Sequence, residues 1–225
     1  TRDLANTPHN HLTATMLADF AQRFGAERGL DVEVFGPDEA RELRLGGLLA
    51  INAGSVEPLR MIKLTYRPDG EPSRRVGLVG KGITYDAGGI SLKPSDGVHA
   101  MMKNDMTGAA AILAAMGTLR ALGCTNEVTG WLMCTNNMPS GSATALGDVL
   151  TMRNGLSVEV IDTDAEGRLV MADALVLAAE SEPDAIIESD GERRRLAGRP
   201  TEPGDAVVMP TSGTTGTPKG VVLTH

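Results

Sequence analysis

Aromatic residues, cysteines and long apolar runs are all scarce in this sequence. Phenylalanine, tyrosine and tryptophan make up 3% of the 225 residues, so a core has to be built from aliphatic side chains and the 11 methionines. Cys124 and Cys134 are too few for a disulfide framework or a zinc ribbon, which favours a reducing compartment. Because no apolar run approaches the roughly 18 residues of a membrane span and no signal peptide is evident, we expect a cytoplasmic protein.

Positive charge is also in the minority. The chain has 21 lysines and arginines against 29 aspartates and glutamates, which gives a formal net charge of −8. A balance of this kind argues against nucleic acid or an anionic membrane as the main partner. At 225 residues the chain can form one large or two small domains with a buried core.

The most distinctive stretch is an alternating acidic segment, Ile161-Asp-Thr-Asp-Ala-Glu-Gly-Arg-Leu169. In an extended backbone, residues two apart point the same way, so Asp164 and Glu166 could present two carboxylates to one point. Arg168 would then begin the next element. Such an arrangement is suited to holding a divalent cation.

Two other interpretations of the same segment remain open at this point. Thr163 and Glu166 have the spacing of a helix capping box, which would explain the acids without any ligand. The segment also fits an EF-hand calcium loop in part, although its last position is Asp and a strand pattern precedes it. The residues on the loop positions are Asp162, Asp164, Glu166, Gly167 and Asp173.

Strand and helix patterns alternate along the chain. Apolar residues recur at helical spacing over 105–122, where Gly123 follows as expected after a helix, and again over 168–180. Short apolar or alternating segments predict strands at 31–35, 48–51, 59–66, 76–79, 127–134, 158–161 and 184–187. This alternation predicts an α/β fold, with a mainly parallel sheet flanked by helices in three α/β/α layers.

Ligands of such sheets bind beyond the carboxyl ends of the strands. The loops that follow Val79, Cys134 and Ile161 are therefore expected to share one edge of the sheet. The first of them, predicted over residues 80–97, is rich in glycine, lysine and aspartate.

Four further charged residues lie within one stretch of 25 residues, well ahead of the acidic segment: Lys81, Asp86, Lys93 and Asp105. Each has an ordinary interpretation when it is taken alone. Asp105 precedes the predicted helix and could be its N-cap, and either lysine could be a solvated surface charge. The choice between these ordinary roles and a shared site depends on four longer motifs considered together.

The four motifs follow one another along the chain: Gly80-Lys-Gly-Ile-Thr-Tyr-Asp-Ala-Gly-Gly-Ile-Ser-Leu-Lys93, Met102-Lys-Asn-Asp-Met-Thr-Gly-Ala-Ala110, Asn137-Met-Pro-Ser-Gly141 and Asp162-Thr-Asp-Ala-Glu-Gly-Arg-Leu169. Together they resemble the leucyl (cytosol) aminopeptidases, the two-metal M17 peptidase family. The resemblance extends from about Arg2 to Ile187. It implies release of N-terminal, preferentially leucine-like residues from peptide substrates, by a homo-oligomer that is a hexamer in the family.

The resemblance also implies a site for two divalent metal ions, Mn²⁺ or Zn²⁺. One ion would be held by Lys81, Asp86, Asp105 and Glu166, and the other by Asp86, Asp164 and Glu166. Lys93 would stabilise the oxyanion of the reaction intermediate, and Arg168 would hold a bicarbonate that acts as general base. The alternative is an inactive metal-binding fragment of such an enzyme.

The chain departs from the family pattern in places. Asp162 stands where asparagine is more usual, and the family's sheet strands beyond Ile187 are absent, so we expect a truncated catalytic domain over residues 1–187. Residues 188–205 are charged, contain glycine and proline, and predict a linker or an exposed loop.

Residues 206–225 contain a motif rich in glycine and hydroxyl side chains, Thr211-Ser-Gly-Thr-Thr-Gly-Thr-Pro-Lys-Gly-Val-Val-Leu-Thr-His225. Their motif is similar to the phosphate-binding signature of the adenylate-forming enzymes, the acyl-CoA synthetase and ligase superfamily. This resemblance implies a remnant of an AMP-binding domain, a chimeric chain and, as a further alternative function, ATP binding. The candidate phosphate-binding residues are Thr211, Ser212, Gly213, Thr214, Thr215, Gly216 and Lys219.

Overall fold

A computed structural model of the chain describes residues 1–190, 207–211 and 219–223. The helices are α1 (Arg2–Asn6), α2 (Ala14–Arg28), α3 (Pro37–Glu42), α4 (Gly46–Asn52), α5 (Gly97–Ala100), α6 (Thr107–Met116) and α7 (Glu166–Glu180). The strands are β1 (Asp31–Phe35), β2 (Arg60–Tyr66), β3 (Arg75–Asp86), β4 (Glu127–Asn137), β5 (Val149–Thr151), β6 (Ser157–Glu159), β7 (Ala185–Ser189), β8 (Val207–Thr211) and β9 (Lys219–Leu223). Within the described ranges, no helix is both long and apolar enough to cross a membrane.

The central sheet has five strands in the order β1-β2-β4-β3-β7. β3 lies parallel to both β4 and β7, whereas β2 lies antiparallel to both β1 and β4. The prediction of an α/β fold with helices on a largely parallel sheet is confirmed. The antiparallel strands β1 and β2 extend the sheet on one side, so it is a mixed sheet.

Helices cover both faces of this sheet, because the side chains of its central strand alternate between two apolar cores. Leu132 and Cys134 of β4 belong to the core beneath α2 and α6. Trp131 and Met133 belong to the core beneath α4 and α7. Burial on both faces explains the unbroken apolar run from Trp131 to Cys134 in β4.

One of the predicted strands is wrong, and another lies outside the central sheet. The segment 48–51 lies within helix α4, because a short apolar run has no period that separates a buried strand from a buried helix. The strand predicted over 158–161 is found as β6 (Ser157–Glu159), but in the described structure it pairs only with β5 and does not join the central sheet. The acidic segment therefore does not follow a strand of the central sheet.

Element boundaries also differ from the prediction around the charged residues. β3 continues to Asp86, so the predicted loop over 80–97 begins as a strand that carries Lys81. The helix predicted over 105–122 is the shorter α6, and Asp105 follows a 3₁₀ turn (Met102–Asn104). Asp164 lies in a second 3₁₀ turn (Thr163–Ala165), and Glu166 begins α7, so these two acids are not on an extended backbone.

Asp173 of α7 has a structural role that excludes the EF-hand interpretation. Its side chain is fully buried. Oδ2 accepts hydrogen bonds from the backbone N–H groups of Gly47 and Leu48 at 2.7 and 3.3 Å, and Oδ1 accepts one from Arg153 at 3.0 Å. Burial raises the pKa of this carboxyl, and the three N–H donors oppose that change. Asp173 thus fixes the first turn of α4 instead of facing a calcium ion.

Replacing Asp173 by asparagine is expected to destabilise the fold. The new side-chain amide would point its own N–H donors at a backbone N–H, leaving a buried donor without an acceptor. We expect D173N to lower the free energy of unfolding by about 1–3 kcal/mol, measured by urea denaturation. Asp19, an exposed residue of α2, supplies the control: D19N should change it by less than about 0.5 kcal/mol. Equal effects of the two substitutions would contradict this role.

Candidate metal centre

Lys81 and Asp86 lie on the same strand and reach the same face because of a bulge. Side chains alternate along a strand, so two residues five positions apart normally point to opposite faces. The register of β3 against β4 shifts between Ile83, which pairs with Thr135, and Asp86, which pairs with Asn137. One extra residue in β3 therefore turns Asp86 towards the face that carries Lys81.

Two glycines allow the chain to turn sharply after Asp86. Gly88 and Gly89 have φ values of +90° and +64°, which side chains with a Cβ rarely adopt. The backbone N–H of Lys93 then donates to the Ala87 carbonyl at 3.0 Å. This closed loop brings Lys93 back to the end of β3.

Thr163 joins that loop to the acidic segment. Its hydroxyl donates to the Gly88 carbonyl at 2.7 Å and accepts from the Ser91 N–H at 2.8 Å. The capping-box interpretation of Thr163 is therefore wrong. Asp162 caps the turn in its place, since its side chain accepts from the Asp164 N–H at 2.9 Å.

Each lysine bridges two carboxylates. Lys81 Nζ lies 2.8 Å from Asp105 Oδ2 and 2.7 Å from Glu166 Oε1. Lys93 Nζ lies 2.8 Å from Asp86 Oδ2 and 2.5 Å from Asp164 Oδ1. The structure thus gathers six residues that the sequence singled out, from four separate parts of the chain. We call them the charged cluster: Lys81, Asp86, Lys93, Asp105, Asp164 and Glu166.

The charged cluster carries more negative than positive charge in a largely buried place. Four carboxylates face two ammonium groups, and the Glu166 residue is only 1% exposed. Burial raises the pKa values of Asp105, Asp164 and Glu166, and the nearby lysines oppose this change. Excess negative charge of this kind is costly to bury unless a cation offsets it.

Three of these acids could hold one cation. Asp86, Asp164 and Glu166 each offer an oxygen that lies within 4.8 Å of the other two. Glu166 Oε2 is buried and has no hydrogen-bond partner in the described structure. Oxygen donors with an unused buried lone pair fit a hard divalent ion such as Mn²⁺, so the residues present suit a metal.

Both lysines are ammonium groups in this arrangement. Burial lowers the pKa of Lys81, but the charges of Glu166 and Asp105 raise it by more, so the net shift is upward. The pKa of Lys93 is likewise lowered by burial and raised by a larger amount through Asp164 and Asp86. Lys81 could bind a metal only as a neutral amine, so metal binding there would have to displace its proton.

A glycine makes room for Lys81 beside α7. A Cβ atom at position 167 would lie 2.9 Å from Lys81 Nζ and 3.0 Å from its Cε. Any larger residue would press on the lysine at the point where it meets Glu166, in the first turn of the helix. The glycine that follows the acids in the sequence is therefore explained by close packing.

Within the part of the chain that the structure describes, the Arg168 side chain forms no ion pair or hydrogen bond with the charged cluster. It lies in the first turn of α7 with an intermediate exposure and forms no ion pair with the other residues described. Its proposed bicarbonate role stays a prediction. Of the predicted phosphate-binding residues, 212–216 lie outside the described residues, and Thr211 pairs with Lys219 where β8 meets β9.

Asn137 is a site residue that the sequence analysis did not single out, although it begins one of the quoted motifs. Its amide Nδ2 donates to Asp86 Oδ1 and to the Thr163 carbonyl, both at 2.9 Å. The signal that could have found it is its position at the end of β4, directly beside Asp86. That adjacency depends on the bulge, which the alternation of apolar residues does not reveal.

Fold and charged cluster together define a class: an α/β protein that gathers carboxylates and lysines near the carboxyl ends of two parallel strands. The family described as "Cytosol aminopeptidase family, catalytic domain" matches residues 1–189. The chain belongs to this family. The resemblance to M17 peptidases is thereby confirmed, whereas nothing tests the resemblance of the final residues to adenylate-forming enzymes.

Individual relatives agree with this assignment. A probable cytosol aminopeptidase of Chlorobaculum parvum is 48% identical over 188 residues, covering 83% of this chain and 37% of the relative. One of Streptomyces coelicolor is 50% identical over 187 residues, covering 83% of this chain and 36% of the relative. The chain thus spans little more than a third of the length of these relatives.

A solved structure supports the fold. The bottromycin maturation enzyme BotP in complex with Mn superposes with a TM-score of 0.79 at 44% identity, covering 83% of this chain and 41% of that chain. The same enzyme in a second structure gives a TM-score of 0.76 at 43% identity. At these TM-scores and identities, the matched parts of this chain and of BotP share the same arrangement of strands and helices.

Proposed function

We propose that the charged cluster is the metal centre of an aminopeptidase, which releases N-terminal, leucine-like residues from peptides. The observation that carries the proposal is the convergence of Asp86, Asp164 and Glu166, whose oxygens lie within 4.8 Å of one another, between two lysines. Membership in the cytosol aminopeptidase family supports the reaction class. The preference for leucine rests on the family resemblance alone.

Two divalent ions, Mn²⁺ or Zn²⁺, are the proposed cofactors. Lys81, Asp86, Asp105 and Glu166 would hold one of them, and Asp86, Asp164 and Glu166 the other. When bound, such a pair of ions makes a water molecule acidic enough to attack a peptide carbonyl near neutral pH. Manganese is the first ion to test, since the similar BotP structure is described as a complex with Mn.

Lys93 has a role of its own in this proposal. Its ammonium group is held by Asp86 and Asp164 at 2.8 and 2.5 Å, so it is already oriented before a substrate arrives. A fixed positive charge stabilises the negative oxygen that develops when a peptide carbonyl is attacked. Arg168, in the first turn of α7, is proposed to hold the bicarbonate that accepts a proton.

Hydrolysis of leucine p-nitroanilide tests the proposed function. We expect the metal-free chain to be inactive, Mn²⁺ to start hydrolysis and a chelator to stop it. Blocking the substrate's amino group should prevent hydrolysis, because an aminopeptidase needs a free N-terminus. Hydrolysis that persists after the metal is removed would contradict the proposal.

Metal binding without turnover is the second candidate function. The chain covers only 36–37% of the length of its relatives, which favours this candidate. Residues of the relatives outside the match can be needed for turnover or for assembly into a hexamer. Two bound Mn²⁺ without hydrolysis, in a monomer, would support this candidate. Mass measurement in solution, made on the same sample, decides the state of assembly.

Gly167→Ala is expected to weaken metal binding through Lys81. The added Cβ would lie 2.9 Å from Lys81 Nζ and force the lysine away from Glu166. We expect Mn²⁺ affinity to fall on the order of tenfold, measured by calorimetry. Gly97→Ala is the matched control, because a Cβ there meets nothing within 4 Å. Unchanged affinity in G167A would show that Lys81 is not needed as a ligand.

The segment 206–225 is the subject of a separate prediction, which concerns ATP binding. We propose that residues 206–225 form a unit distinct from the catalytic part over 1–187. The linker is expected over 188–205, although its first two residues, Glu188 and Ser189, belong to β7. If the phosphate-binding signature is functional, ATP should slow proteolytic cleavage between Thr211 and Lys219. No protection at millimolar ATP would remove the adenylate-forming alternative.

A further inference from the structure

We propose that Asn137 is a positioning residue that orients Asp86 and sets its spacing from the acidic segment, and so controls metal affinity. The proposal extends the metal centre proposed above but does not depend on peptidase activity. It rests on how one buried amide divides its hydrogen bonds between the two segments that carry the acids. Asn137 is only 3% exposed, so water cannot easily replace these bonds.

The orientation of the amide follows from its neighbours. Asp86 Oδ1 and the Thr163 carbonyl are both acceptors, and each lies 2.9 Å from the same Asn137 atom. Only the NH₂ group can donate to two acceptors at once, so this atom is nitrogen. Both of its protons are therefore used, one by Asp86 and one by the Thr163 carbonyl.

The consequence for Asp86 is a division between its two oxygens. Oδ1 accepts from Asn137 and from the Gly88 N–H at 2.9 Å. Oδ2 is left facing the interior of the charged cluster, where Lys93 Nζ lies 2.8 Å away. A carboxylate with one oxygen fixed by the protein cannot rotate freely, so the other oxygen is held ready for a cation.

The second proton ties Asp86 to the acidic segment. Thr163, whose carbonyl accepts it, is the residue immediately before Asp164 and begins the turn that leads to Glu166. Asn137 thus links the end of β3 directly to the turn before α7, in addition to the contacts that Lys93 and Thr163 make between the same segments. Removing it leaves Asp86 Oδ1 with the Gly88 N–H as its hydrogen-bond donor and weakens the connection between the two acid-bearing segments.

The neighbouring residue, Asn136, provides a matched control. It is the same residue type on the same strand, and it is 4% exposed. Because side chains alternate, it points to the opposite face of the sheet, where its Nδ2 lies 3.3 Å from His9 Nε2. A purely structural effect of losing a buried amide should appear at both positions.

The test is Mn²⁺ binding to the metal-free chain, measured by calorimetry for Asn137→Asp, Asn137→Ser and Asn136→Ser. We expect both Asn137 variants to bind Mn²⁺ about 10–100-fold more weakly, the usual effect of losing a partner behind a metal ligand. Asn136→Ser should keep the Mn²⁺ affinity of the unmodified chain within about twofold, even if it lowers thermal stability as much as the Asn137 variants do. Wild-type affinity in both Asn137 variants would overturn the proposal.

A measurement on the unmodified chain covers the case in which the variants do not fold. Zn²⁺, which is diamagnetic, should shift the side-chain NH₂ resonances of Asn137 in ¹⁵N–¹H spectra and leave those of Asn136 in place. Unshifted Asn137 resonances at saturating Zn²⁺ would overturn the proposal as well. If the unmodified chain binds neither ion, the proposed metal centre itself fails, which is a different result from equal binding by all variants.

Discussion

Glu166→Gln is expected to remove both metal ions at once and to abolish hydrolysis. Glu166 is the only cluster acid that combines near-complete burial with an oxygen, Oε2, that lacks a hydrogen-bond partner in the described structure. As a proposed bridging ligand, it would contribute to both ions. Glutamine keeps the size of the side chain but loses the charge, so a shared ligand becomes a weak neutral one.

The measurement is the Mn²⁺ content per chain after gel filtration, together with the rate of leucine p-nitroanilide hydrolysis. Glu180→Gln, at the opposite end of α7, is the control and should keep both the metal and the activity. We expect E166Q to remain folded, because Lys81 retains Asp105 at 2.8 Å. Stepwise loss of one ion, or full activity in E166Q, would contradict a bridging role.

Removing the charge of Lys93 is expected to separate metal binding from catalysis. Lys93→Met keeps much of the apolar stem and removes the ammonium group that faces Asp86 and Asp164. Loss of a preorganised oxyanion partner typically costs about 10²–10³-fold in kcat, and we expect a fall of that size. Mn²⁺ affinity should stay the same or increase, because a competing cation has left the carboxylates.

The control for Lys93 is Lys103→Met, since Lys103 is a lysine outside the cluster whose Nζ donates to the Asn6 carbonyl. That variant should keep the wild-type rate. Parallel kinetic and calorimetric measurements on both variants decide the question. If K93M lost its metal as well as its activity, Lys93 would be a structural part of the site and not a catalytic group.

The fold class was predictable because helix and strand patterns alternate and because the core positions of α6 follow a helical period. Ala109, Leu113 and Met116 are all buried in one core, as their spacing predicts. The short segments were not predictable in the same way. Residues 48–51 could be a strand or a helix on their own, and only their packing in the core beneath α4 and α7 decides between them.

The candidate site was predictable in its residues but not in its geometry. Motifs identified the charged residues, yet the proposed reason for their convergence, an extended Asp164 and Glu166, is wrong, because the two residues lie in a 3₁₀ turn and a helix start. The bulge before Asp86 is a long-range feature that depends on how β3 pairs with β4. Asn137 was missed for that same reason, since its partner is set by the pairing.

Counting the metal ions bound to the unmodified chain tests the central claim most directly. The metal-free chain would be titrated with Mn²⁺ by calorimetry while its molecular mass is measured in solution. Two ions per chain, both lost in E166Q, is the result we expect. If the chain bound no Mn²⁺, or bound a single ion that E166Q also binds, a two-metal centre built from these carboxylates would be contradicted.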